Sequence, residues 1–160
     1  MGSTQLDHWF NETPLDINEW MLQGLKIGMK HLNLETGIVS RINNHQYVIQ
    51  QVASTLGDIF SPGDEFELQN TYCEAVARQH KTITYIQVGA IPEMCIHPVY
   101  KAVQLESYIG SPISGAEGDV IGTLNFSSHE VRSKEFEVEE IQLIEQMANK
   151  ISDVLKQQDS

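Results

Sequence analysis

Two pairs of strand-like segments constrain this chain more than anything else in it. Residues 37–42 and 46–53 are separated only by Asn43, Asn44 and His45, and residues 107–113 and 120–126 only by the turn-forming run 114–119. Links this short cannot hold the crossover that parallel neighbours need, so each pair must close as an antiparallel hairpin. Shorter β-rich runs at 65–68 and 82–88 bring the expected strands to six. Helical periodicity brackets them. Ile17, Met21, Leu25, Gly28 and Leu32 recur every three or four residues behind Asp16 and Glu19, a capping-box spacing that predicts a helix over 17–32. Phe136, Val138, Ile141, Ile144, Met147, Ala148, Ile151, Val154 and Leu155 predict a long helix to about residue 155. Its Glu137, Glu139 and Glu140 suit the positive end of the helix dipole. A third helix is expected from Thr71–Glu74, again with capping-box spacing, to His80.

The reading is an α+β fold: a six-stranded, mainly antiparallel sheet, with the N- and C-terminal helices on one face and the 60–105 segment on the other. Residues 1–14 read as an N-terminal extension, 15–156 as one domain and 157–160 as a polar tail. Trp20, Leu22, Ile27 and Met29 lie off the stripe of the first helix. Either a second subunit or residues 1–14, folded back, must cover them. The heptad-like spacing through 144, 147, 148, 151, 154 and 155 is similarly two-sided, fitting a partner helix or simple packing on the sheet.

Charge and motif content narrow the function classes. With 22 acidic residues against 10 basic, the net charge of −12 repels phosphate backbones and anionic lipid, so nucleic acid and membrane surfaces are poor partners. No apolar run reaches membrane-spanning length, and the opening residues lack a secretory leader's basic and apolar pattern, so a cytoplasmic location is expected. Two cysteines, Cys73 and Cys95, fit a reduced compartment. Cys95 and His97 supply two ligand types with no third beside them, so no metal site is expected. There is no glycine-rich phosphate cradle, and the sequence names no cofactor.

The ordered pieces 34–42 (LETGIVSRI), Pro62-Gly63-Asp64-Glu65-Phe66, Asn70-Thr71-Tyr72-Cys73, His97-Pro98-Val99-Tyr100, 107–113 (SYIGSPI) and Gly122-Thr123-Leu124-Asn125-Phe126, followed by the long last helix, resemble a GAF domain over about 17–155. The resemblance implies a small-molecule cavity on the sheet face opposite the terminal helices. It also implies a non-catalytic sensory or regulatory role in bacterial signal transduction, with an output module or partner, and homodimerisation through the helices at 17–32 and 138–155. The loops and single helix of 60–105 cover their face of the sheet less densely than two helices would, which favours a pocket there. Its candidate ligand-binding lining is Tyr72, Cys73, Val76, Tyr85, Met94, Cys95, His97, Tyr100, Tyr108 and Asn125, apolar bodies with polar tips that ordinary core packing would equally use.

Cys73 in a first helical turn reads either as a thiol activated by the helix dipole or as part of a buried stripe with Val76 and Ala77. Cys95 resembles the bilin-attaching cysteine of phytochrome-like GAF domains, although Ile96 separates it from His97. The resemblance extends to an enzyme of the GAF fold, the free methionine-(R)-sulfoxide reductase, for which two thiols could suffice, although the cysteine pattern here differs from that enzyme's. The alternative to the sensor from another class is a ligand-free module that only dimerises.

Overall fold

The computed structural model describes residues 2–92, 94 and 103–158. In chain order it contains α1 (Gly2–Asn11), α2 (Ile17–Leu32), β1 (Thr36–Asn43), β2 (Gln46–Ser54), β3 (Glu65–Glu67) and α3 (Cys73–Gln79). Then come β4 (Ile83–Tyr85), β5 (Ser107–Ser114), β6 (Val120–Ser128) and α4 (Val138–Gln158). The strands form one six-stranded sheet in the order β3-β2-β1-β6-β5-β4, and every adjacent pair is antiparallel. The expected hairpins, β1–β2 and β5–β6, are joined where β1 pairs with β6, Thr36 opposite Ser127 and Arg41 opposite Gly122.

Period-two alternation gives the sheet two different faces. On β6, Leu124 and Phe126 point to the helices while Thr123, Asn125 and Ser127 point the other way. On β1, Val39 joins the helix-side core and Ile38 the opposite one. A register shift in the β1–β2 ladder between Val39 and Ser40 lets Tyr47, Ile49 and Val52 share the face away from the helices, although 49 and 52 differ in parity. The helix-side core combines Met21, Leu25 and Leu32 of α2 with Ile144, Met147 and Ile151 of α4 over Val39, Ile109, Leu124 and Phe126. The Phe126 ring lies against Gly28 of α2, where a β-carbon would occupy its space.

The Asp16 carboxylate caps α2 as expected, accepting from the Glu19 amide at 3.1 Å. Asn33 closes it in the left-handed region, φ 56°, with its amide on the Met29 carbonyl. The stripe of α4 from Ile144 to Leu155 is buried on the sheet within the chain. Residues 2–11 fold back as α1 and cover part of the off-stripe face of α2, around Trp20 and Gly24, while Leu22 and Ile27 stay half-buried. Trp9 and Trp20 stack at 4.4 Å with their planes 2° apart. Each indole N–H donates to the other residue's carbonyl, at 2.9 and 3.1 Å, so two large side chains are buried with their polar atoms satisfied.

Two local expectations are corrected. Thr71 does not cap α3: its hydroxyl donates to the Leu68 carbonyl at 2.8 Å, and Tyr72 takes the cap position with no capping bond from its side chain to the helix. The strand expected over 82–88 is confined to Ile83–Tyr85, because the Val88 amide turns to the Glu106 carbonyl and the Ile86 carbonyl accepts from the Arg132 amide.

Candidate functional site

On the face away from α2 and α4, the covering segments leave a cavity of about 270 Å³. Ile38 and Ile49 rise from the sheet, Phe60 and Phe66 close one side, and Val103 and Leu105 close another. Tyr47, Tyr72, Cys73, Tyr108 and Asn125 add polar atoms, with Asn70, Thr71 and Ser127 beside them. Among the described residues no charged side chain lines it.

The polar side chains at its base bond mainly to one another. Ser40 Oγ lies 2.7 Å from Thr123 Oγ1, which donates to Cys73 Sγ at 3.2 Å. Asn125 Nδ2 donates toward Tyr47 Oη at 3.2 Å and Cys73 Sγ at 3.3 Å, and Tyr108 Oη lies 3.0 Å from the same sulfur. Above them, the Tyr72 hydroxyl donates to the Leu105 carbonyl at 2.8 Å, tying α3 to the segment that enters β5. Burial is the first cause of the titration behaviour here: it pushes the Tyr47 and Tyr108 phenols well above the ordinary tyrosine value. It also pushes the Cys73 thiol up, and the bonds from Thr123, Tyr108 and Tyr47, which favour the thiolate, do not offset it. The base of the cavity is therefore neutral at physiological pH, and the activated-thiol reading of Cys73 gives way to the buried one. The short α3, although its first residue is Cys73, does not overcome the loss of water around the sulfur.

This arrangement, a cavity over an antiparallel sheet whose other face holds the terminal helices, agrees with a sequence comparison: the GAF domain family profile matches residues 14–156. The chain belongs to the GAF domain family. Comparison with curated proteins finds no match. Among solved structures, the GAF domain of an Acinetobacter phosphoenolpyruvate-protein phosphotransferase superposes with a TM-score of 0.76 at 9% identity, covering 99% of this chain and 92% of that one. A phycocyanobilin-bound GAF domain from a cyanobacterial phytochrome gives 0.77 at 11% identity, covering 98% and 94%. Free methionine-R-sulfoxide reductase from Neisseria meningitidis, in complex with its substrate, gives 0.73 at 12%, covering 99% and 89%. At such identities the likeness is one of fold.

Within this GAF domain, Tyr72, Cys73, Tyr108 and Asn125 of the sequence-based lining meet at the cavity. Val76, Tyr85 and Met94 pack in or against the apolar cluster behind its wall, and Tyr85 lies edge-on to Tyr72 at 5.6 Å between ring centres. Cys95, His97 and Tyr100 lie outside the described residues. Sequence reasoning passed over Tyr47, Ile49, Phe60 and Phe66. The signal for the first two was the alternation along β2. For the base of the cavity it was the polar alternate row Thr123, Asn125 and Ser127, three buried polar side chains on one strand face. Nothing local marks Phe60 and Phe66, which pack edge to face at 6.1 Å only after β3 pairs with β2.

Proposed function

We propose that this GAF domain is a non-catalytic sensory domain of a cytoplasmic signalling protein, holding a small molecule between the sheet and the 60–105 segment. The observation that carries this reading is the 270 Å³ cavity above a base of buried polar groups that satisfy one another. Such a space can admit a guest without leaving partners stranded. The neighbouring folds, GAF domains from a phosphotransferase and from phytochromes, support a regulatory role.

Reductase chemistry needs an accessible thiolate, and Cys73 is a buried thiol with a raised pKa, which argues against Cys73 as the attacking group. The ligand-free dimerisation alternative drew on the apolar excess of α2 and the heptad-like stripe of α4. Trp9 covers Trp20 on α2 and the sheet covers that stripe, which takes much of the support from the dimerisation module and favours the sensor.

Native mass spectrometry of freshly purified protein, followed by denaturing mass analysis of the same sample, tests the reading. Mass released on denaturation from the wild type and absent from a cavity-filling Ile49→Phe variant supports it. Identical bound mass in both proteins places the guest elsewhere and refutes it.

A further inference from the structure

We propose that the ligand of this cavity is an uncharged, largely apolar molecule of one or two rings, a class that rests on the sensory reading above. Three observations converge on it. The first is the chemistry of the walls: Ile38, Ile49, Phe60, Phe66 and Leu105 offer apolar surface, and no Lys, Arg, His, Asp or Glu stands among the described lining residues. A charged guest would leave water and find no counter-ion among these described residues, and burying an unpaired charge is the most expensive way to bury a group.

The second is the state of the polar base. Asn125 Nδ2 is already directed at Tyr47 Oη and Cys73 Sγ, Thr123 Oγ1 at Cys73 Sγ, and the Tyr72 hydroxyl at the Leu105 carbonyl. Recruiting these donors to a carboxylate would strip bonds from neighbours buried with them. The phenols and thiol are held neutral by burial and cannot supply charge of their own. An anion is further opposed by the chain's net charge of −12. A cation would find aromatic faces, but no carboxylate among the described lining residues replaces its water.

The third is size. Apolar cavities of about 150 Å³ accept a single benzene ring. At 270 Å³ this one has less than twice that space, the room of a substituted ring or a fused pair.

The test uses the full chain and a matched set of probes: indole, the anionic indolecarboxylate and the cationic tryptamine, titrated calorimetrically, with xenon NMR reporting the empty cavity. Xenon is expected to enter, indole to bind, both charged analogues to bind weaker by about tenfold or more, and Ile49→Phe to abolish indole binding. A charged analogue that matches indole in the wild type and is lost in Ile49→Phe overturns the ligand class and leaves the sensory site standing. Xenon entering while no indole derivative binds also overturns the class. Indole binding that survives Ile49→Phe overturns its placement in this cavity. Exclusion of xenon means a closed interior and overturns the sensory reading itself.

Discussion

Replacing Gly24 with Ala reports whether α1 is docked in solution, because docked and undocked chains respond with opposite sign. Gly24 lies in the middle of α2, where glycine costs about 1 kcal/mol relative to alanine in an open helix. With α1 detached, the substitution therefore stabilises the domain by about that amount. With α1 docked, the new β-carbon would sit 2.6 Å from Trp9 Cζ2 and 2.7 Å from Cε2 and Nε1. Carbon contacts are normally satisfied at about 3.5–4.0 Å. The Trp9 ring has little freedom to retreat, since it is stacked on Trp20, packed edge to face with Phe10 at 5.1 Å and bonded through Nε1 to the Trp20 carbonyl.

Overpacking of this kind costs about 1–3 kcal/mol, which offsets the helix gain and leaves a net loss of roughly 0–2 kcal/mol. For a domain of this size each kcal/mol lowers Tm by about 2–4 °C. If α1 instead leaves, the burial of Trp9 is lost with it, a term of about 3–5 kcal/mol by analogy with Trp→Ala changes. Urea unfolding followed by circular dichroism reads both branches. The two tryptophans are the only ones in the chain, so any coupled-indole signal belongs to the Trp9–Trp20 stack. The expected result is a weaker couplet with a lower unfolding midpoint. Absence of the couplet from both proteins, with stability raised by about 1 kcal/mol in Gly24→Ala, would refute the docked arrangement.

Three further outcomes are expected. Burial alone would raise the Glu35 pKa, but the His129 amide at 2.9 Å, the Ser128 hydroxyl at 2.8 Å and the His129 charge bring it below the ordinary value. Its stabilisation is therefore complete above the unfolded carboxyl pKa and is lost as pH falls through the folded one. Glu35→Gln should flatten the acid side of a urea-midpoint profile, and a profile superimposable on wild type would count against that role. Arg132 stacks over Phe136 at 3.9 Å and donates to the Leu32 carbonyl and the Glu140 carboxylate, joining the end of α2 to the start of α4. Arg132→Ala should cost about 1–3 kcal/mol in thermal unfolding, with little recovery in Arg132→Lys, which lacks the planar fork. Cys73 should resist alkylation in the folded protein and react on unfolding, as read by peptide mass mapping; native-state labelling at that site would contradict its burial.

The hairpins were legible because their determinants are local: Asn43-Asn44-His45 and the 114–119 loop specify turns whatever surrounds them. Asp16 was legible as a cap for the same reason. Thr71 has the same spacing to Glu74 yet fails as a cap, because the turn at Leu68–Asn70 offers its hydroxyl a nearer carbonyl. The docking of α1 was not legible as a pattern. Trp9 and Trp20 are eleven residues apart on different helices, and their reciprocal bonds exist only once the chain has turned back between them. The cavity lining divides likewise. Asn125 and Tyr108 follow from strand alternation, as Tyr47 and Ile49 do along β2, whereas Val52 joins their face only through an irregular register opposite Val39 and Ser40, which no alternation rule locates.

The two faces of the sheet are mechanically one object, and this bears on how occupancy would be reported under the sensory reading. α3 meets β5 and β6 at Cys73, whose sulfur contacts Tyr108 and Thr123. Past the end of α3, Thr82 Oγ1 lies 2.6 Å from Ser111 Oγ and donates to Glu145 of α4 at 2.7 Å. A guest that displaced α3 would therefore act on β5 at two points, Tyr108 on the cavity face and Ser111 on the helix face. It would act on α4 directly through Glu145. Close-packed interiors yield by switching between arrangements and not by stretching. Strand β5 also accepts a bond from α4, since Ser152 Oγ donates to the Ser114 carbonyl. Under the sensory reading, cavity occupancy and the position of α4 would thus meet at β5, through the bonds of Thr82, Ser111 and Glu145.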